Sequence, residues 1–126
     1  MSSGDYRNLV AWKKAFQFAL AVYQETAHFP DREKYGITAQ IRRASISVPS
    51  NIAEGQGRHS RGEFRHHLLF ALGSLKEVET QLLISGALGH TAPGRVSKLM
   101  EMSAEVGRLI NGLSKSMARQ PLTTNN

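Results

Sequence analysis

Gln40-Ile41-Arg42-Arg43-Ala44-Ser45-Ile46-Ser47-Val48-Pro49-Ser50-Asn51-Ile52-Ala53-Glu54-Gly55 is the stretch that decides the fold of this chain. Apolar residues recur at Ile37, Ile41, Ala44, Val48 and Ile52, at spacings of four, three, four and four. That period predicts a helix with one buried stripe. Thr38 is placed to cap it, and Gly55 and Gly57 supply its stop. Pro49 lacks the N–H that would bond the Ser45 carbonyl, so the helix either kinks there or begins anew. Ser45 and Ser47 bring hydroxyls that can satisfy the backbone around that break.

Upstream, Asn8 can cap a first helix that runs from Leu9 to about Ala27, where Phe29-Pro30 ends it. Its centre, Ala15-Phe16-Gln17-Phe18-Ala19-Leu20-Ala21-Val22-Tyr23, is apolar nearly all round, more than a single bundle seam uses. The excess is read as surface for a second subunit, against the plainer reading of a central helix with some exposed alanine. Downstream, Ser60-Arg61-Gly62-Glu63 forms a capping box, and Phe64, Leu68, Ala71, Leu75, Val78 and Leu82 carry the stripe of a third helix. Gly73 within that helix suggests the close approach of another backbone. Gly86-Ala87-Leu88-Gly89 ends it.

Thr91 or Ala92, followed by Pro93, opens a fourth helix with Val96, Leu99, Val106, Ile110, Leu113 and Met117 on its buried side. Ala104, Gly107 and Gly112 permit tight packing nearby. The chain thus divides into a flexible N-terminus (1–8), a four-helix bundle domain (9–117) and a disordered tail (118–126). With no alternation of strand type, the fold class is all-α, arranged up-down-up-down.

At 126 residues the chain fits one domain. It has no cysteine, which excludes a disulfide framework and thiolate chemistry. No export signal or long apolar run stands out, so the expectation is a cytoplasmic protein without a membrane partner. The net charge is +6 and the pI near 10.1. Clustered cations gain free energy by releasing counterions from phosphates, so a polyanion is a reasonable partner. The excess is local, with Arg42, Arg43, Arg58, Arg61 and Arg65 set against Glu54 and Glu63. His59, His66 and His67 lie in the same segment.

Catalytic and metal chemistry have little support in the sequence. Glu25-Thr26-Ala27-His28 and Glu63-Phe64-Arg65-His66 both match the Glu-x-x-His element of di-iron bundles, but an up-down bundle puts them at opposite ends. A zinc cluster of His59, His66, His67 and Glu63 would be surrounded by the like charge of Arg61 and Arg65. No nucleophile elbow and no phosphate loop is present. No catalytic residue, metal or cofactor is therefore expected. Between antiparallel second and third helices, one of Arg42 and Arg43 can pair with Glu77 or Glu79 while the other faces outward. Arg58, Arg61 and Arg65 are the freer cations.

The Gln40-to-Gly55 stretch resembles the signature Q-I-R-R-A…S-I-P-S-N-I-A-E-G of the 23S rRNA intervening-sequence proteins, a family with a ribosomal-protein-like label, with Val48 where isoleucine is commoner. The likeness extends to Leu9, Trp12, Tyr23, Phe29-Pro30, Glu33, Gly36, Arg58, Phe64, Gly73-Ser74, Glu77 and Glu79-Thr80. It implies a left-handed four-helix bundle that associates into a ring-shaped homopentamer. More distantly the chain is similar to the accessory variability determinant of diversity-generating retroelements, a basic pentameric barrel that binds nucleic acid and works with a reverse transcriptase. The resulting expectation is a non-enzymatic oligomer that binds RNA or DNA by its phosphates through Arg42, Arg43, Arg58, Arg61 and Arg65. The alternative is a protein-interaction scaffold or an accessory subunit for a nucleic-acid enzyme such as a reverse transcriptase.

Overall fold

Short connections dictate the topology of the computed structural model, which describes residues 5–118. Four helices, α1 (Val10–Thr26), α2 (Ile37–Gln56), α3 (Arg61–Ala87) and α4 (Pro93–Ala118), follow one another, with 3-10 turns at Tyr6–Asn8 and Asp31–Glu33. Residues 57–60 and 88–92 are too few to return a chain along the bundle, so successive helices run antiparallel. Each helix packs on its neighbours in the chain, and α4 closes on α1 while the diagonal pairs stay apart. Among the described residues there is no strand. No described helix is long and apolar enough to cross a membrane.

The core is the set of stripes read from the sequence. Phe18 and Val22 of α1, Ile41, Val48 and Ile52 of α2, Leu68, Leu75, Val78 and Leu82 of α3, and Leu99, Val106 and Ile110 of α4 are all fully buried. Fully burying side chains of this kind stabilises by about 1.5–3 kcal/mol each. On α4 the expected Val96, Leu113 and Met117 are only partly covered, and Ser103 and Ser114 take buried places instead. Ser103 is tolerated there because its hydroxyl donates to Glu79 Oε2 at 2.6 Å.

The helix ends follow the sequence in part. Ser60 caps α3, accepting from the Glu63 N–H at 3.1 Å. At the other end Gly89 adopts φ +82°, and the N–H groups of Gly89 and His90 return to the carbonyls of Gly86 and Ser85. That closure needs a residue free to enter the left-handed region. Asn8 does not cap α1: Asp5 caps a preceding 3-10 turn through the Arg7 N–H at 2.9 Å, and α1 starts after Leu9 without a side-chain cap. Thr38 does not cap α2 either. The turn at Asp31–Glu33 delivers Gly36 as the entry residue, so Thr38 falls inside the helix and is buried. Residues 1–4 and 119–126 of the expected flexible ends lie outside the described residues, and Ala118 belongs to α4.

Pro49 neither starts nor stops a helix, because α2 continues through it. The close helix approach expected at Gly73 is found at Gly55 instead. A Cβ on Gly55 would lie 2.7 Å from His67 Cβ and 3.2 Å from the Phe64 carbonyl oxygen, whereas one on Gly73 meets nothing within 4 Å. Gly55 is thus required by the packing of α2 on α3. Gly55→Ala is expected to cost about 1–3 kcal/mol through overpacking despite its better helix propensity. Gly73→Ala should gain up to about 1 kcal/mol. Denaturant unfolding of the two variants reads both signs.

At the end of the bundle holding residues 27–36 and 88–92, His90 Nε2 donates to Glu33 Oε2 at 3.0 Å and its ring rests on Phe29. This bond ties two successive loops. The hydrogen bond from His90 holds the Glu33 carboxyl below its ordinary value, with smaller help from the Ile37 N–H and the nearby charges of His90 and Arg32 against desolvation. A carboxyl whose folded pKa is depressed stabilises the fold above its unfolded pKa and loses that contribution as pH falls through the folded one. The stability difference between the wild type and Glu33→Gln, followed by thermal unfolding, should therefore be full at neutral pH and shrink as pH drops below about 4.5.

Candidate nucleic-acid interface

The arginines singled out by the sequence separate into two groups. Arg42 and Arg43 lie in the first half of α2, and Arg58, Arg61 and Arg65 gather where α2 turns into α3. Sixteen residues of helix at about 1.5 Å each keep Arg42 some 24 Å from Arg58.

Arg42 is engaged within the bundle. Its Nε donates to Thr26 Oγ1 at 2.7 Å, its Nη2 to the Tyr23 carbonyl at 3.3 Å, and its guanidinium lies 4.6 Å from the Tyr23 ring centre. These contacts add a cation to the C-terminal turn of α1, whose dipole favours positive charge there. Neither arginine forms the expected ion pair with Glu77 or Glu79 among the described residues, and Glu79 is taken by Ser103 and by Lys76 at 3.3 Å. Arg43 is exposed on the other side of α2, lining a polar hollow with Gln40, Ser47, Glu77 and Gln81. It has no hydrogen bond or ion pair among the described residues.

The second group differs. Among the described residues the Arg58 side chain reaches only Glu54, at 3.7 Å between two exposed side chains, a contact worth little in water. Arg61 touches Met117 Sδ at 3.8 Å, and Arg65 has no polar partner among the described residues. The contact from Arg61 to Met117 brings the end of α4 alongside. At the opposite end Arg95 pairs with Glu25 at 3.0 Å, His90 with Glu33 and Arg42 with α1, while Arg32 and Lys34 of the first loop are exposed without an ion pair among the described residues.

Beneath the second group runs a polar chain between α2 and α3. Ser74 Oγ donates to Ser47 Oγ at 2.8 Å, and Asn51 Nδ2 donates to the Ser47 carbonyl at 2.9 Å and to its hydroxyl at 3.0 Å. With its amide nitrogen so fixed, Asn51 turns Oδ1 toward His67 Nδ1 at 3.1 Å. An oxygen there demands that Nδ1 carry the hydrogen, and Glu54 Oε1 lies 3.8 Å from the same nitrogen. His67 Nε2 is left without a partner among the described residues. The ring lines a hollow of about 390 Å³ together with Arg58, Gly62, Glu63 and His66. The role of Ser47 in joining two helices was not legible from the sequence, where it read as support for Pro49.

Glu25 of the first Glu-x-x-His match is bound to Arg95 at the far end, while Glu63 and His66 of the second sit beside Arg58. No group of three or more candidate ligands among the described residues could hold a metal ion. A wider apolar hollow of about 480 Å³ opens between α1 and α2, lined by Tyr6, Trp12, Phe16, Leu20, Tyr23, Ile46 and Pro49 among others.

Four antiparallel helices with three exposed arginines around the α2–α3 turn define an all-helical bundle protein. The chain belongs to the 23S rRNA-intervening sequence protein family, whose family model matches residues 7–112. It is similar in structure to a protein of unknown function from the S23 ribosomal protein family of Bacteroides thetaiotaomicron, with a TM-score of 0.76 at 23% identity over 84% of this chain and 99% of that one. No curated protein matches it significantly.

The division between engaged and free arginines has a direct consequence for stability. Arg42→Ala should cost about 1–3 kcal/mol, because it removes charged donors from Thr26 Oγ1 and the Tyr23 carbonyl and uncovers the Tyr23 ring, although the Thr26 hydroxyl keeps its own bond to the Val22 carbonyl. Alanine at Arg58, Arg61 or Arg65 should stay within about 0.5 kcal/mol. Chemical denaturation of the four single variants separates the groups.

Proposed function

We propose that this chain is a non-enzymatic, self-associating bundle protein that binds nucleic acid through phosphate contacts at the end where α2 turns into α3. The observation that carries the reading is the gathering of three exposed arginines around one turn. Arg58, Arg61 and Arg65 are exposed and weakly paired or unpaired, whereas Arg32 and Lys34, the exposed cations of the loop at the other pole, adjoin Asp31 and Glu33 in the chain. Unpaired arginines bind phosphate without first breaking an internal bond, and the counterions they release drive association. Arg43 is a separate free cation on the flank, and Arg42 serves the fold.

Self-association is supported by two apolar faces. Val10, Phe16, Leu20 and Tyr23 are exposed on α1, and Leu69, Leu83 and Ile84 on α3, with Leu88 just past its end. These helices are diagonal in the bundle, so their outer faces point in opposite directions. A contact between unlike faces repeats head to tail and closes into a ring when the rotation allows. The left-handed bundle and five-membered ring implied by the family resemblance fit that geometry. Linked copies of a weak basic pole bind one polyanion through effective concentration, by roughly 10²–10⁴ over a single copy in favourable geometry.

The apolar hollow between α1 and α2 also favours a second reading, a scaffold that holds a different protein there. Both are tested by titrating nuclease-treated protein with labelled single strands and duplexes over a salt series, with the mass in solution measured on the same sample. An oligomer with steep salt dependence supports the first reading, and a monomer that binds no strand even at low salt leaves the second. Replacing Arg58, Arg61 and Arg65 together by alanine should flatten the slope of log K against log salt by about 2 to 3 per bound protomer. An unchanged slope places the phosphate contacts elsewhere.

A further inference from the structure

We propose that the hollow beside the α2–α3 turn seats one ribonucleotide of a single RNA strand, with His67 Nε2 accepting the ribose 2′-hydroxyl, Arg58 taking the adjoining phosphate, and His66 with Phe70 offering a platform for the base. The inference rests on the nucleic-acid reading above and narrows it from any polyanion to RNA.

The chemistry starts at Asn51. Its amide is locked by the two bonds to Ser47, so its oxygen fixes the hydrogen of His67 on Nδ1 and leaves Nε2 as an acceptor in the neutral ring. An unpartnered acceptor at the wall of a hollow fits a ligand that brings a hydroxyl donor. The other charged walls say the same. Glu63 lines the hollow together with Arg58, and Glu54 stands behind both Arg58 and His67. A bare anion is poorly served by that mixture, since the carboxylates repel it. A ribose phosphate is well served, because it presents hydroxyl donors and a phosphate within one nucleotide. DNA lacks the 2′-hydroxyl that would meet Nε2.

The rim supplies an aromatic surface. His66 and Phe70 meet edge to face with ring centres 4.6 Å apart, and Phe70 is 54% exposed, outside the hydrophobic core. Exposed histidine and phenylalanine rings are platforms on which unstacked bases rest. Gly62 adds no side chain to the hollow, where a Cβ would meet only Ser60 Oγ at 3.9 Å.

The test compares affinities for one sequence made as single-stranded RNA, as DNA and as 2′-O-methyl RNA, at fixed pH and salt. The wild type should prefer RNA over DNA by roughly three- to tenfold, the worth of one neutral hydrogen bond. 2′-O-methyl RNA should bind like DNA. His67→Leu should bring the ratio of RNA to DNA to about one, His67→Gln should keep part of the preference because its amide oxygen still accepts, and Phe70→Ala should weaken both strands together. Equal binding of RNA and DNA by the wild type overturns the inference and leaves phosphate binding standing, as does full affinity for the methylated strand, which requires no variant to fold. A His67→Leu protein that folds, shown by its thermal unfolding, and retains the preference overturns the placement at His67. Absence of binding to all three strands at low salt removes the nucleic-acid reading and this inference together.

Discussion

The packing of α2 on α3 at Gly55 is the constraint from which the rest of this structure follows. With no Cβ in the way, the α2 backbone comes against His67 and Phe64 closely enough that any larger residue would push the helices apart. Contact that close fixes the register along the seam. Ser47 then falls opposite Ser74, 27 residues away in the chain, and Asn51 falls opposite His67. The apolar stripes of both helices meet in the same register, with Val48 and Ile52 buried beside Leu68, Ala71 and Leu75. A polar chain inside such a seam is stable only when each member has a partner, and the serine, asparagine and histidine supply one another.

Charge is distributed by the same architecture. Antiparallel helices bring the C-terminal turn of α1 and the start of α4 to one pole, where Glu25, Glu33 and the end of α1 meet Arg95, His90 and Arg42. Those pairs pin the loops, while Arg32 and Lys34 stay exposed there without an ion pair among the described residues. The other pole joins the end of α2, the start of α3 and the last turn of α4. Its cations outnumber the carboxylates within reach, Glu54 and Glu63, and Glu54 divides itself between Arg58 and His67. Arginines gathered around one turn concentrate the field there, whereas the same charges scattered over the surface would give little more than solubility.

The sequence made the four helices legible because their buried positions keep a helical period, and because Ser60, Gly89 and Pro93 punctuate them with residues suited to caps and stops. Local signals misled where a competing turn formed. Asp5 and Gly36 displaced Asn8 and Thr38, since 3-10 turns ahead of α1 and α2 moved the entry points. Gly73 and Gly55 look alike in sequence, and only the facing helix shows which one is in contact. The candidate site was half legible. Arg58, Arg61 and Arg65 cluster within a few residues, so spacing found them. Arg42 carries the same charge, and its engagement with Thr26 and Tyr23 depends on a helix 16 residues upstream. His67 was visible as a titratable residue, but its orientation by Asn51 belongs to the tertiary seam.

That orientation matters because recognition by a single hydrogen bond is effective only when the acceptor is already aimed. A histidine on a mobile surface loop would give up in ordering much of what a hydroxyl contact supplies. His67 is instead held by α3 on one side and by Asn51 of α2 on the other, in a ring whose side chain is 16% exposed. Arg58 sits just past the end of α2 with freedom to follow a phosphate. The pole thus pairs a fixed hydroxyl acceptor with a movable cation. If copies of the bundle join through α1 and α3, those contacts use the flanks and leave the pole open. Cyclic symmetry would then turn every pole the same way, so that one strand could cross several such seats in succession.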